Sequence, residues 1–206
     1  MIDGHVSAAK NAIAAGFDGI ELHGANGYLI EQFLNPNVNT RTDEYGGSIE
    51  GRAKIVLQLA AQIAEAIGPE KVGIRFSPYS EMGDLKPYPA DEVHQTYTYL
   101  AKEMDRIGIA YIHIGLSPKI PQHTLDAMRK AYNGTIIICN GLTPQTALDA
   151  LDKDFADLVA FGRSWLANPD LDDRIADAAE LNQPDFNTLY TPGAKGYTDY
   201  PVFIKQ

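Results

Sequence analysis

Short apolar runs alternate with amphipathic stretches along almost the whole sequence, and this alternation restricts the fold more than any single motif does. Ala8, Ala9, Ile13 and Ala14 recur at helical spacing, and Gly16 stands where a helix usually stops. Residues 17–23 then read as a strand. Val56, Leu59, Ala60, Ile63 and Ile67 trace one face of a helix that Gly68-Pro69 closes, and residues 72–77 read as a second strand. Val93, Tyr97, Leu100, Met104 and Ile107 repeat the helical pattern, Gly108 ends it, and residues 110–114 form the next strand. Helices near 124–132 and 144–151 flank strands over 135–139 and 158–161, and a further helix starts at about Ser164.

Strands that alternate with helices are joined by right-handed crossovers into a parallel sheet. A doubly wound sheet and a (β/α)8 barrel both satisfy the pattern. The G-x-G-x-x-G that opens the first helix of a dinucleotide fold is absent, and the pair Gly46-Gly47 lies in a loop. Polar groups stand instead at the ends of several strands: His23, Ser77, Asn140 and Gly162-Arg163. Functional groups dispersed over strand ends are the barrel habit. The expected fold is therefore α/β, a partial barrel of TIM type with about five strands, equivalent to strands four to eight. Residues 1–206 are read as the C-terminal part of such a barrel, with three strands expected to be missing from the front.

Charge and cysteine usage narrow the partners. Lys and Arg number 17 against 27 Asp and Glu, a formal charge of -10, which repels phosphate backbones and anionic lipid. Nucleic-acid and membrane partners are not expected. The single cysteine, Cys139, follows Ile136-Ile137-Ile138, so it reads as a buried, inert thiol in a reducing compartment. No run approaches the roughly 18 apolar residues of a membrane span, and the first residues lack a signal-peptide pattern. A cytoplasmic protein is expected.

Three groups of residues have chemical promise. Arg75 lies within an apolar strand and requires an anion or a polar partner, which could be an internal carboxylate. Asn140-Gly141 and Gly162-Arg163 follow the last two strands. If these are the seventh and eighth of a barrel, glycines that admit an anion to backbone N–H groups, with a helix N-terminus behind, suit a phosphate. Plain turn glycines with a surface arginine are the alternative. In His23-Gly24-Ala25-Asn26-Gly27-Tyr28, the histidine and asparagine can aim N–H donors at one oxygen, and the tyrosine adds a weak acid able to protonate a carbanion. A structural histidine and a packing tyrosine are the competing reading. No metal ligand set is present, and His113 and His123 read as structural. The polar stretch over residues 35–51 is a long loop of the kind that usually carries function.

Several ordered motifs carry a resemblance. His23-Gly24-Ala25-Asn26-Gly27-Tyr28-Leu29, Gln32-Phe33-Leu34 and Asn39-Thr40-Arg41-Thr42-Asp43-Glu44-Tyr45-Gly46-Gly47-Ser48 resemble the old yellow enzyme family of FMN-dependent ene-reductases. Gly73-Ile74-Arg75-Phe76-Ser77-Pro78, Ala160-Phe161-Gly162-Arg163, Asn168-Pro169-Asp170-Leu171 and Gly196-Tyr197-Thr198-Asp199-Tyr200-Pro201 extend the likeness over nearly the whole chain. The resemblance implies a (β/α)8 barrel with FMN at its C-terminal mouth and NADPH or NADH as reductant. It implies that His23 and Asn26 hold the oxygen of an enone or nitro substrate and that Tyr28 protonates the alpha carbon. Arg75 would lie against the flavin, Asn140, Gly141, Gly162 and Arg163 would take its phosphate end, and Tyr190 would reach into the substrate pocket. Because the likeness covers only the C-terminal portion of the family pattern, a complementary N-terminal chain or a homo-oligomer is expected to complete the barrel. A non-catalytic partial-barrel subunit is the alternative function. A barrel lyase or isomerase is disfavoured, because no strand ends in a Schiff-base lysine.

Overall fold

The computed structural model describes residues 1–204. Five parallel strands are hydrogen-bonded in the order of the sequence: β1 (Ile20–Gly24), β2 (Val72–Phe76), β3 (Tyr111–Gly115), β4 (Thr135–Cys139) and β5 (Leu158–Ala160). That order never reverses, so there is no switch point of the kind a doubly wound sheet has. Successive βα units laid side by side are the geometry of a barrel wall. Helices α1 (Ile2–Ala14), α2 (Leu29–Leu34), α3 (Ile49–Ile67), α4 (Ala90–Ile107), α5 (Gln122–Ala131), α6 (Pro144–Asp152), α7 (Arg163–Ala167) and α8 (Leu171–Ala176), with a 3-10 turn over Pro69–Lys71, complete the described elements.

The core lies between the sheet and the helical layer. Val72, Ile74 and Phe76 of β2, Ile112 and Ile114 of β3, and Ile136 and Ile138 of β4 point to that side and are buried. They meet the stripes anticipated from spacing: Val56, Leu59, Ala60 and Ile63 of α3, and Val93, Tyr97, Leu100 and Met104 of α4, all buried. Each such aliphatic side chain contributes about 1.5–3 kcal/mol on burial. Ser48 caps α3 by accepting from Gly51 N–H, and Gly108 closes α4 at φ 79°, a left-handed conformation that glycine adopts without strain.

The other face of the sheet is where the period-2 alternation sends polar groups. Glu21, Gly73, Tyr111 and Thr135 form one register row, and His23, Arg75, His113, Ile137 and Leu158 form the next. In a closed barrel this face is the lumen. Here it is open, and Leu158 is 53% exposed upon it. β1 and β5 each pair on one side only.

One local expectation is corrected: the first strand starts at Ile20, leaving Phe17 exposed in the connection. The stretch over 35–51 is a loop as far as Ser48, where α3 is capped, and the buried Asn35 and Asn39 pin it by donating to Lys86 O, Phe33 O and Tyr45 O at 2.7–2.8 Å. A Cβ on Gly46 would lie 2.0 Å from Arg41 O, so that turn closes only around a glycine.

Candidate active site

The residues singled out at strand ends gather at the C-terminal edge of the sheet. His23 of β1 stands opposite Arg75 of β2 in the register. The Tyr28 ring lies 5.3 Å from the His23 ring, centroid to centroid, and Tyr28 is exposed. Between them the chain turns through Asn26 at φ 57° and Gly27 at φ 78°. Burial holds the His23 imidazole below its ordinary pKa, helped by the Arg75 charge and opposed by Glu21. That shift favours the neutral ring, which offers one N–H donor.

Arg75 does find a polar partner, and it is not a carboxylate. Its Nη2 donates to Cys139 Sγ at 3.1 Å, while the buried Nε has no hydrogen-bond partner. Cys139 is buried as anticipated, and it serves as acceptor for the guanidinium. One register position away, His113 Nδ1 is 3.0 Å from Glu21 Oε2. Burial opposes charge on this imidazole, but contacts with Cys139 and Glu21 outweigh it and push its pKa up to about 9. The orphaned Nε of Arg75, between strand ends, fits an acceptor that the protein itself does not supply.

Asn140 (φ 74°) and Gly141 (φ 67°) turn the chain at the end of β4. With Leu142, Phe161, Gly162, Arg163 and neighbouring residues they line a hollow of about 220 Å³ at the ends of β4 and β5. The two anticipated phosphate-binding pairs therefore share one concavity, although they lie more than a helix apart in sequence. Tyr190 is not brought to this edge by any contact: it is 97% exposed, and its backbone N–H donates to the Tyr197 hydroxyl at 2.7 Å.

Sequence reasoning placed Ser77 at a strand end but overlooked Glu31 and the support the two give beneath the turn. Glu31 of α2 and Ser77, just beyond β2, hydrogen-bond to Gly27 and Asn26. The available signal was a carboxylate inside Leu29-Ile30-Glu31-Gln32-Phe33-Leu34, an apolar segment that has little reason to bury a charge. Among the described residues, no cluster of His, Cys, Asp or Glu could hold a metal ion, and no helix is long and apolar enough to cross a membrane.

Fold and site together define a barrel-type α/β protein with its functional groups at the C-terminal ends of parallel strands. The chain belongs to the NADH:flavin oxidoreductase / NADH oxidase family, whose pattern matches residues 1–182. It is 44% identical over 206 residues to 12-oxophytodienoate reductase 2 of Arabidopsis thaliana, covering 94% of this chain and 53% of that protein. It is 42% identical over 200 residues to a Leishmania infantum protein named "Probable flavin mononucleotide-dependent alkene reductase", covering 96% of this chain and 54% of that one. Among solved structures, morphinone reductase in complex with tetrahydroNAD superposes with a TM-score of 0.93 at 43% identity, over 98% of this chain and 55% of that chain. An old yellow enzyme homologue from Zymomonas mobilis gives 0.91 at 33% identity, over 98% and 58%. The chain thus spans about half the length of the relatives it matches.

Proposed function

We propose that this chain carries the substrate-binding and proton-donating half of an FMN-dependent oxidoreductase that reduces activated C=C bonds, or nitro compounds, with NAD(P)H. The observation that carries the reading is the meeting of His23, Tyr28 and Arg75 at neighbouring strand ends, with a hollow between Asn140-Gly141 and Gly162-Arg163 on the same edge. The residues fit FMN on their chemistry. Arg75 has a buried donor without a partner, suited to the electron-rich edge of a flavin ring, and the hollow offers Arg163 and glycine backbone to a phosphate. Bound FMN would pass hydride from NAD(P)H to the beta carbon of the alkene.

The protein groups do the rest. His23 and Asn26 hold the carbonyl or nitro oxygen of the substrate, and the nicotinamide amide in its turn. Their hydrogen bonds strengthen as negative charge grows on that oxygen, so they favour the transition state over the bound substrate. The Tyr28 hydroxyl gives its proton to the alpha carbon. Tyr190, on the exposed C-terminal segment, is assigned to the rim of the substrate pocket. The unpaired Cys139 suits a cytoplasmic setting.

The open sheet favours a second element of the reading. A barrel closes with eight strands, and the described residues supply five. We assign the remaining strands to further polypeptide, a complementary chain or a second copy, and without it this half would be a non-catalytic subunit. The test is to titrate the chain with FMN, alone and in its native complex, and follow the flavin bands through addition of NADPH and then an enone. A yellow protein bleached by NADPH and recoloured by the enone supports the reading. Complexes that stay colourless remove it.

A further inference from the structure

Beneath the turn that carries Asn26 and Tyr28 lies a carboxylate that the proposed chemistry does not use. Glu31 is 3% exposed. Its Oε2 accepts from Gly27 N–H at 2.7 Å, and its Oε1 accepts from the Ser77 hydroxyl at 2.8 Å and from the Tyr97 hydroxyl at 3.0 Å. The Ser77 oxygen in turn accepts from Asn26 N–H at 2.8 Å. Two successive backbone N–H groups of the turn are therefore held, one directly and one through Ser77, by a single buried anion.

All three groups that hydrogen-bond Glu31 are neutral donors. Burial pushes its pKa up, against the pull of Gly27, Ser77 and Tyr97. A buried charge held in this way costs stability relative to a neutral group of the same shape. What it secures is local. Asn26 and Gly27 are both left-handed, a conformation open to few side chains besides asparagine, and backbone donors in such a turn converge on an anion. The opposite side of the turn is closed as well, since a Cβ on Gly27 would lie 2.1 Å from Met82 O.

We propose that Glu31 is a positioning residue: its carboxylate, acting on Gly27 directly and on Asn26 through Ser77, locks the strand-end turn in the conformation that aims Asn26 and Tyr28 at the substrate. The substrate part rests on the functional reading above, and the lock itself does not. Donors fixed before reaction need no reorganisation during it, and a misplacement of about 1 Å can cost about a hundredfold in rate.

Glu31→Gln separates the two. It keeps the side-chain shape but sets an amide NH2 either against the Gly27 N–H or against the Ser77 and Tyr97 hydroxyls. Amide hydrogen exchange on the full chain, read by NMR, is expected to speed up at least about tenfold at Gly27 and Asn26. Leu22 and Ile74 should stay protected, and the melting temperature should not fall. In the FMN-loaded protein, kcat/KM for an enone is expected to drop about 10- to 100-fold at unchanged FMN content. Ser77→Ala, a second variant, should free Asn26 more than Gly27. Unchanged exchange at both amides in both variants overturns the lock. Freed amides with unchanged kcat/KM overturn the positioning role, leaving Glu31 a structural carboxylate. A wild-type complex, with the missing strands supplied, that takes up no FMN removes the functional reading, while the exchange data still decide the lock.

Discussion

At the residue scale, the proposed function divides chemistry and support between residues of one strand-end turn. The sequence singles out His23, Asn26 and Tyr28 as polar groups at and just after the end of an apolar strand, and their proposed roles are open to direct test. Replacing His23 or Asn26 by alanine is expected to cost about 10²–10³ in enone turnover, the usual loss for a removed oxyanion donor. Affinity for a phenolic ligand, read by titration of the flavin spectrum, should fall in both variants. Tyr28→Phe should slow reoxidation of reduced protein by an enone and spare reduction by NAD(P)H, and stopped-flow traces of the two half-reactions check this. The Glu21–His113 pair makes a prediction of a different kind. Although burial opposes it, the hydrogen bond from His113 holds the Glu21 carboxyl below its ordinary pKa. His113 is raised from 6.5 to about 9, so its contribution to stability is complete below pH 6.5 and is lost as pH rises through about 9. Melting temperatures followed across this window should decline in the wild type and stay flatter in His113→Gln. The partnership itself was invisible in the sequence, where His113 and Glu21 stand 92 positions apart.

At the element scale, the long helices could be read directly and the short ones could not. The α3 and α4 stripes repeat over 19 and 18 residues, enough turns for the helical period to show. Helix α2 has six residues, four of them apolar, and a run so short carries no period. Its burial against the core through Ile30 and Leu34 comes from tertiary packing rather than propensity. Leu100 of α4 is fully buried between helix and sheet, so Leu100→Ala is expected to cost about 2–5 kcal/mol in denaturant unfolding. Helix α6 starts with a capping box in which Thr143 and Thr146 each accept from the other's backbone N–H. Thr143→Ala should cost about 0.5–2 kcal/mol by the same measurement, without touching flavin or substrate.

At the scale of the whole molecule, the sheet has one satisfied face and one unsatisfied one. Strands with bare edges and a half-open lumen invite pairing with further strands. Native mass spectrometry of the chain is expected to show a second copy or a complementary polypeptide bound. FMN should be retained only in such complexes. A monodisperse monomer that holds FMN would show that five strands suffice for the site.

The sequence by itself determined the order of strands and helices, the parallel sheet, the strand-end positions of His23, Ser77, Asn140 and Arg163, and the place of Arg75 within a strand. These follow from periodicity and from the cost of burying polar groups, which act within a few residues and leave a local record. Only the tertiary structure decided that Arg75 leans on Cys139, that His113 pairs with Glu21, that Asn35 and Asn39 pin the 35–51 loop, and that Glu31 and Ser77 hold the turn beneath the site. Those contacts are made by residues mostly distant along the chain, brought together when the strands pair in register. A hydrogen bond depends on distance and direction in space, and neither is written in the spacing of residues along the chain.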